Sequence, residues 1–144
     1  MLNKIIDGIS EKLNATFGDE YEVHTEQVKQ GLDPPCFLIS LVNPTSTPVV
    51  GNRYSRQNLF SVKYFPLSKT GARAEYLNVQ DELFLALEYI TADGDMLRGT
   101  GMNGQIVDGI LVFIVNYGMF VRKESDKDLM ETLKVINAAG GGQA

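Results

Sequence analysis

Glu22, His24 and Glu26 recur at every second position of the alternating segment Tyr21-Glu-Val-His-Thr-Glu26, and this trio has the residue types that a divalent metal or an acid/base step would need. On a strand, a step of two residues separates such side chains by about 6–7 Å. Alternation also predicts polar residues on any wet strand face, so the trio reads as a solvated face with no metal site. His24 is the sole histidine of the chain, which leaves a His-dependent nucleophile with one possible base. Cys36 would be the matching thiol. It follows Pro34-Pro35 and opens the hydrophobic run Cys36 to Val42, where apolar surroundings blunt thiol reactivity, and it reads as a structural cysteine.

Three further patterns imitate chemistry. Gly99-Thr-Gly-Met-Asn-Gly104 spells the glycine spacing of a dinucleotide loop, which works only when a helix N-terminus follows to receive the pyrophosphate. The residues that follow, Gln105 to Phe113, are β-branched and apolar, so the segment reads as a loop joining two strands. Asp93-Gly-Asp95 lacks the later ligands and the bidentate Glu of a calcium loop, and reads as an acidic turn. Asn14-Ala-Thr16 matches a glycosylation sequon without a secretory context. No catalytic, cofactor or metal site is expected.

The chain has 144 residues and a net charge of −5, with an isoelectric point near 4.8. That length fits one domain burying about two thirds of its unfolded surface, and the reading is a single domain over 1–139 with a disordered Gly-rich tail at 140–144. The acidic balance lacks the Lys/Arg excess that neutralises phosphates, so contact with DNA is expected to be transient. One cysteine excludes an intramolecular disulfide. Asp7 interrupts any signal-like apolar run, and the longest such run, Ile110 to Val115, has six residues against the ~18 a membrane span needs. The expectation is cytoplasmic synthesis and no membrane partner.

The elements that must position any site follow from periodicity. Leu2, Ile5, Ile6, Ile9 and Leu13 repeat at helical spacing up to Phe17-Gly18. Tyr21 to Thr25 is a short strand with one wet face. Asp33-Pro34-Pro35 sets an extended entry to Cys36–Val42, a strand apolar on both faces and therefore central. Asn43 to Ser55, with two prolines and a glycine, reads as a long connection or projecting arm. A half-buried strand returns over Gln57 to Phe65, with Phe60, Val62 and Tyr64 inward and Ser61 and Lys63 outward. Tyr76, Val79, Leu83, Leu87 and Ile90 form one stripe of a helix over 73–90. Met96 to Gly104 reads as a short strand and glycine turn, and Ile106 to Val121 as one long β-run with Leu111, Phe113, Val115, Tyr117, Met119 and Val121 on one apolar edge. Asp126 to Asn137, with Leu129, Met130, Leu133 and Ile136, reads as a C-terminal helix capped by Ser125.

Three blocks carry a likeness to a known family: Val23-His-Thr-Glu-Gln-Val-Lys-Gln-Gly31 with Pro35-Cys36-Phe37, then Val62-Lys-Tyr-Phe-Pro66, then Ile106-Val-Asp-Gly-Ile-Leu111 leading to Asn116-Tyr117. In these the chain resembles the tail terminators of long-tailed bacteriophages, in the form found in phages and phage-tail-like particles of Gram-positive bacteria. Gly118 and the Gly/Gln tail depart from that pattern.

The resemblance implies an α/β (α+β) subunit with a mixed, mainly antiparallel sheet of about four to five strands covered by two to three helices. It implies a virion structural protein that forms a homo-oligomeric, hexameric ring on the finished tail tube, ends tube and sheath polymerisation and meets the neck or head connector, with DNA only passing through. Its place would be the neck-proximal end of the tail, with no cofactor and no enzymatic activity. A head-tail connector or other minor tail protein is the alternative, followed by a small-ligand module or enzyme. On residue type, Arg53, Tyr54 and Arg56 of the arm are the first candidate docking groups, because Arg and Tyr anchor interfaces. Met96, Arg98 and Met102 form a second patch, Met being adaptable at binding surfaces.

Overall fold

A computed structural model describes residues 1–18, 20–25, 34–67, 71–125 and 131–137. The apolar spacing near the start becomes α1 (Leu2–Phe17), which buries Ile5, Ile9 and Leu13 completely. Its last turn closes at Gly18, φ 84°, whose N–H donates to the Asn14 carbonyl at 3.0 Å. The remaining described elements are β1 (Glu22–His24), β2 (Cys36–Pro48), β3 (Arg53–Phe65), α2 (Arg73–Ala86), β4 (Tyr89–Ala92), β5 (Asp95–Val107), β6 (Ile110–Tyr117), β7 (Met119–Ser125) and β8 (Glu131–Asn137).

The strands form a mixed sheet in the order β1-β2-β3-β6-β5-β4, with β7 added to β3 and β8 to β7. β1 runs parallel to β2, and the other pairs are antiparallel. The class is the expected one, but the sheet has eight strands among the described residues where four to five were expected. Four segments account for the difference.

The stripe Tyr76, Val79, Leu83, Leu87 and Ile90 is buried throughout, yet it does not belong to one helix, because α2 ends at Ala86 and Ile90 lies in β4. The sheet captures the helix end. The Tyr117 hydroxyl donates to the Leu87 carbonyl at 2.7 Å, and the Gly99 N–H donates to the Glu88 carbonyl at 2.7 Å. Two carbonyls that would otherwise continue or cap the helix are satisfied by the sheet. Close approach is possible because position 99 is glycine: a Cβ there would stand 2.5 Å from the Leu87 carbonyl oxygen and 2.8 Å from Val115 Cγ2.

The glycine turn expected between 96 and 104 is absent, and β5 runs unbroken from Asp95 to Val107, with a bulge between Thr100 and Asn103. Asp93-Gly94 is the two-residue turn of the β4–β5 hairpin, as the acidic-turn reading required. The long run over 106–121 is broken twice. Asp108 and Gly109, at φ 51° and 76°, make the β5–β6 turn, since positive φ at both central residues matches the strand twist. Gly118 then separates β6 from β7. All six residues of the apolar edge are nevertheless fully buried, because an interruption of one residue leaves the two-residue period in phase.

The C-terminal helix over 126–137 is also corrected. Residues 126–130 lie outside the described residues, and 131–137 form β8, paired antiparallel with β7. A twelve-residue helix is marginal by itself, whereas β7 offers a row of backbone donors and acceptors. The burial follows the strand period. Val135 packs against the core, and Ile136, counted in the helical stripe, is exposed.

One face of the sheet holds the core, in which Phe37, Ile39, Phe60, Val62 and Tyr64 meet both helices and the β6–β7 edge. Phe17, Tyr21, Phe37 and Tyr64 stack in tilted contacts with centroids 4.8–6.2 Å apart. The Tyr64 hydroxyl donates to Glu75 Oε2 at 2.5 Å. Burial, then this carboxylate, raises the Tyr64 phenol above its ordinary value of 10.0, and burial alone raises that of Tyr117.

Gly99→Ala is expected to destabilise the fold by at least about 2 kcal/mol, because the obstructing atoms include backbone. Several degrees of melting temperature should be lost, and a melt like that of the parent chain would contradict the clamp. The two phenols make a second prediction. Their folded state holds protons that the unfolded chain releases above its ordinary phenol value, so the contribution of these two groups to unfolding free energy should stay level from pH 7 to 9. Above about 10 it should fall, by up to about 2.7 kcal/mol per pH unit. Urea titrations across that range test this, and Tyr117→Phe should make the slope shallower.

Candidate assembly interface

The segment read as a loop or arm is a hairpin of two 13-residue strands, β2 and β3. Its base is core, with Cys36 to Ile39 buried, whereas Val42 to Pro48 are exposed on both faces. The arm reading therefore holds and the loop reading does not. Low apolar content did not prevent a strand, because the ladder to β3 supplies the backbone bonds and this part of β2 has no face to bury.

Pro44 and Pro48 fit this edge for a definite reason. The Val49 N–H donates to the Arg53 carbonyl at 3.0 Å, and Pro48 pairs with Tyr54, Thr47 with Ser55 and Pro44 with Asn58. Donors alternate along a strand, so the N–H groups of 45, 47 and 49 point to β3 and positions 44, 46 and 48 face away from it. Prolines occupy two of those three outward positions. They remove no bond within the hairpin and deny a row of donors to an incoming strand. Docking here is left to side chains.

The hairpin leaves the main sheet at a built branch point. β3 pairs with β6 over Leu59–Tyr64 and with β7 over Arg53–Arg56. Between the two ladders, buried Asn58 donates through Nδ2 to the Tyr117 carbonyl at 3.0 Å. Asn116 Nδ2 donates to Gln57 Oε1 at 2.6 Å, and Gln57 covers Gly118, where a Cβ would fall 2.6 Å from its Oε1.

The candidate docking residues do not form the patches expected. Arg53 is exposed beside Val49, Val50, Phe120 and Ile136, which together line a shallow depression at the hairpin tip. Tyr54 faces the other way and packs on the core, opposite buried Val121. Arg56 is half-buried on that same inner face, and its Nε is buried without an acceptor among the described residues. Strand alternation splits the trio. In the second patch, Met96 is exposed and Arg98 reaches Glu88 at 3.4 Å and lies over the Tyr89 ring at 5.7 Å, whereas Met102, within the bulge, packs on the core.

Of the residues with chemical potential, His24 Nε2 is 3.1 Å from Glu22 Oε2 on the face of β1, and Glu26 lies outside the described residues. Cys36 is fully buried and pairs across the ladder with Glu22, while His24 pairs with Leu38. The tip depression and an open groove between α1 and α2, lined by Phe17, Tyr21, Glu75, Asn78, Val79 and Glu82, include none of these three. The Gly99–Gly104 segment lies within β5 and not before a helix, so the pyrophosphate geometry is not formed. Gly99 instead admits the end of α2.

A protein-family model for phage tail terminator proteins matches residues 4–128. The chain belongs to the phage tail terminator family. No curated protein matches it individually. Membership gives the chain a structural and assembly role in the phage tail and a place in the virion tail. Among the described residues, no helix is long and apolar enough to cross a membrane.

A second surface escaped the residue-by-residue reading. Leu77 and Leu85, each about one turn from Asp81 on α2, are 52% and 76% exposed, and Asp81 and Glu82 beside them are exposed as well. The signal was present as charge order. From Pro34 to Ala74 the tail terminator has Arg53, Arg56, Lys63, Lys69 and Arg73 and no acid, and from Glu75 to Leu97 it has Glu75, Asp81, Glu82, Glu88, Asp93 and Asp95 and no base. A net charge of −5 conceals this division.

Cys36 is expected to react with an aromatic disulfide reagent far more slowly in native buffer than in urea, since access requires opening of β1–β2. Labelling at the unfolded rate would show that this part of the sheet is open.

Proposed function

We propose that the chain closes into a ring on the completed tail tube, ends tube and sheath polymerisation, and offers its opposite surface to the neck or head connector. Family membership supplies the tail role, and the β2 half of the hairpin, exposed on both faces over Val42 to Pro48, is the observation that supports capping. It extends side chains past the core without a free donor row, a form suited to seating on a fixed partner and unsuited to continued strand addition. In this reading residues 1–139 act as one unit, the ring is six-fold, DNA only passes through it, and the protein turns over no substrate. Arg53, Met96 and Arg98 face outward and remain candidate contacts.

The test is assembly of the cognate tube protein with and without this chain, followed by electron microscopy and light scattering. Closed rings at one end of tubes of limited length are expected. Incorporation along growing filaments would make the protein a tube subunit, and binding to the connector without any effect on tube length would make it a head-tail connector. Either result overturns the capping role.

A further inference from the structure

We propose that the hairpin tip of one copy, through Val49, Val50 and Arg53, docks on the outer face of α2 of a second copy, through Leu77, Leu85, Asp81 and Glu82. The inference rests on the ring reading and names the contact that closes it.

Both surfaces are mixed and opposite in sign. At the tip, Val49 and Val50 are 52% and 71% exposed beside Arg53. On α2, two exposed leucines flank two exposed carboxylates, since residues four apart share a helix face. Each patch offers apolar area that is costly to leave in water and a charge that selects its counterpart.

The two patches belong to different parts of the molecule. The tip is bounded by β7 and β8, whereas α2 packs against α1, β5 and β6. A contact between unlike patches can repeat head-to-tail from copy to copy, and it generates a ring where the rotation closes. Prolines at two of the three outward positions of β2 disfavour backbone pairing there as the source of this contact.

The experiment is sedimentation of the full chain over a range of concentration in about 50 mM and about 500 mM NaCl, where screening differs strongly. It compares the parent with Arg53→Glu, with Asp81→Lys/Glu82→Lys and with all three changes together. All these positions are exposed, and circular dichroism checks that each variant is folded. Each reversal alone should weaken association at least about tenfold, and the combination should restore most of it. Val50→Asp should weaken it at both salt concentrations. A parent that stays monomeric throughout, reversals without effect, or a combination no better than its parts would overturn the contact. Tube assembly separates this from the capping role. If the parent limits tube length while the reversals change nothing, only the contact is wrong. If the charge swap governs ring formation while tubes grow unchecked, the contact stands and the capping role fails.

Discussion

Everything outside the compact half of this molecule depends on what happens around Asn58. There β3 stops pairing with β6 and begins pairing with β7, and a buried amide bridges the gap by donating to the Tyr117 carbonyl. A buried carbonyl without a partner costs about 1–3 kcal/mol, and that donor removes the cost at the branch. With Gln57 laid over Gly118, it lets one strand serve two ladders. The distal hairpin is thereby held as a continuation of core strands, with no flexible linker between.

A rigid projection with little apolar surface is an unusual thing to maintain. Its backbone bonds run within the hairpin and from β3 to β7, and its prolines occupy outward positions, so it offers little to a stray strand. Such an element makes sense in an assembly where side-chain contacts specify the neighbour. The charge order strengthens this view, because the basic stretch includes the hairpin and the acidic stretch includes α2 from Glu75 onward. Opposite charges on separate elements give a subunit polarity, and polarity is what a head-to-tail ring requires.

The second constraint is the clamp on the end of α2, and it explains why a familiar glycine pattern misleads. Gly99 belongs to a spacing associated with phosphate loops, yet its lack of a Cβ admits the Leu87 carbonyl and lets Tyr117 satisfy it. Here the small residue makes room for the protein's own backbone. The mimic was recognisable from the strand-forming residues after Gly104, although the site of the close approach was not.

Much of the fold was legible from local periodicity. α1, the inward positions of β3, the stripe of α2 and the six-residue apolar edge all follow from which residues recur at 3.6 or 2.0. The docking residues were legible only as types. Arg53, Tyr54 and Arg56 are neighbours in sequence, and the strand sends Arg53 to one face and the other two to the opposite one. Leu77 and Leu85 look like ordinary helix residues until Tyr76, Val79 and Leu83 are seen to form the core-facing side of α2.

By itself, then, the order of residues determined the apolar faces, the tail terminator likeness and the separation of basic from acidic stretches, since these are properties of composition and spacing. Tertiary structure decided where α2 stops, that 131–137 is a strand, that 43–48 pairs instead of looping, and which charges lie outside. Each of those outcomes depends on backbone hydrogen bonds to a segment distant in sequence, Gly99 and Tyr117 for α2, β7 for β8, β3 for the hairpin. No local pattern encodes such a partner. The free energy that selects it arises only when the two segments meet.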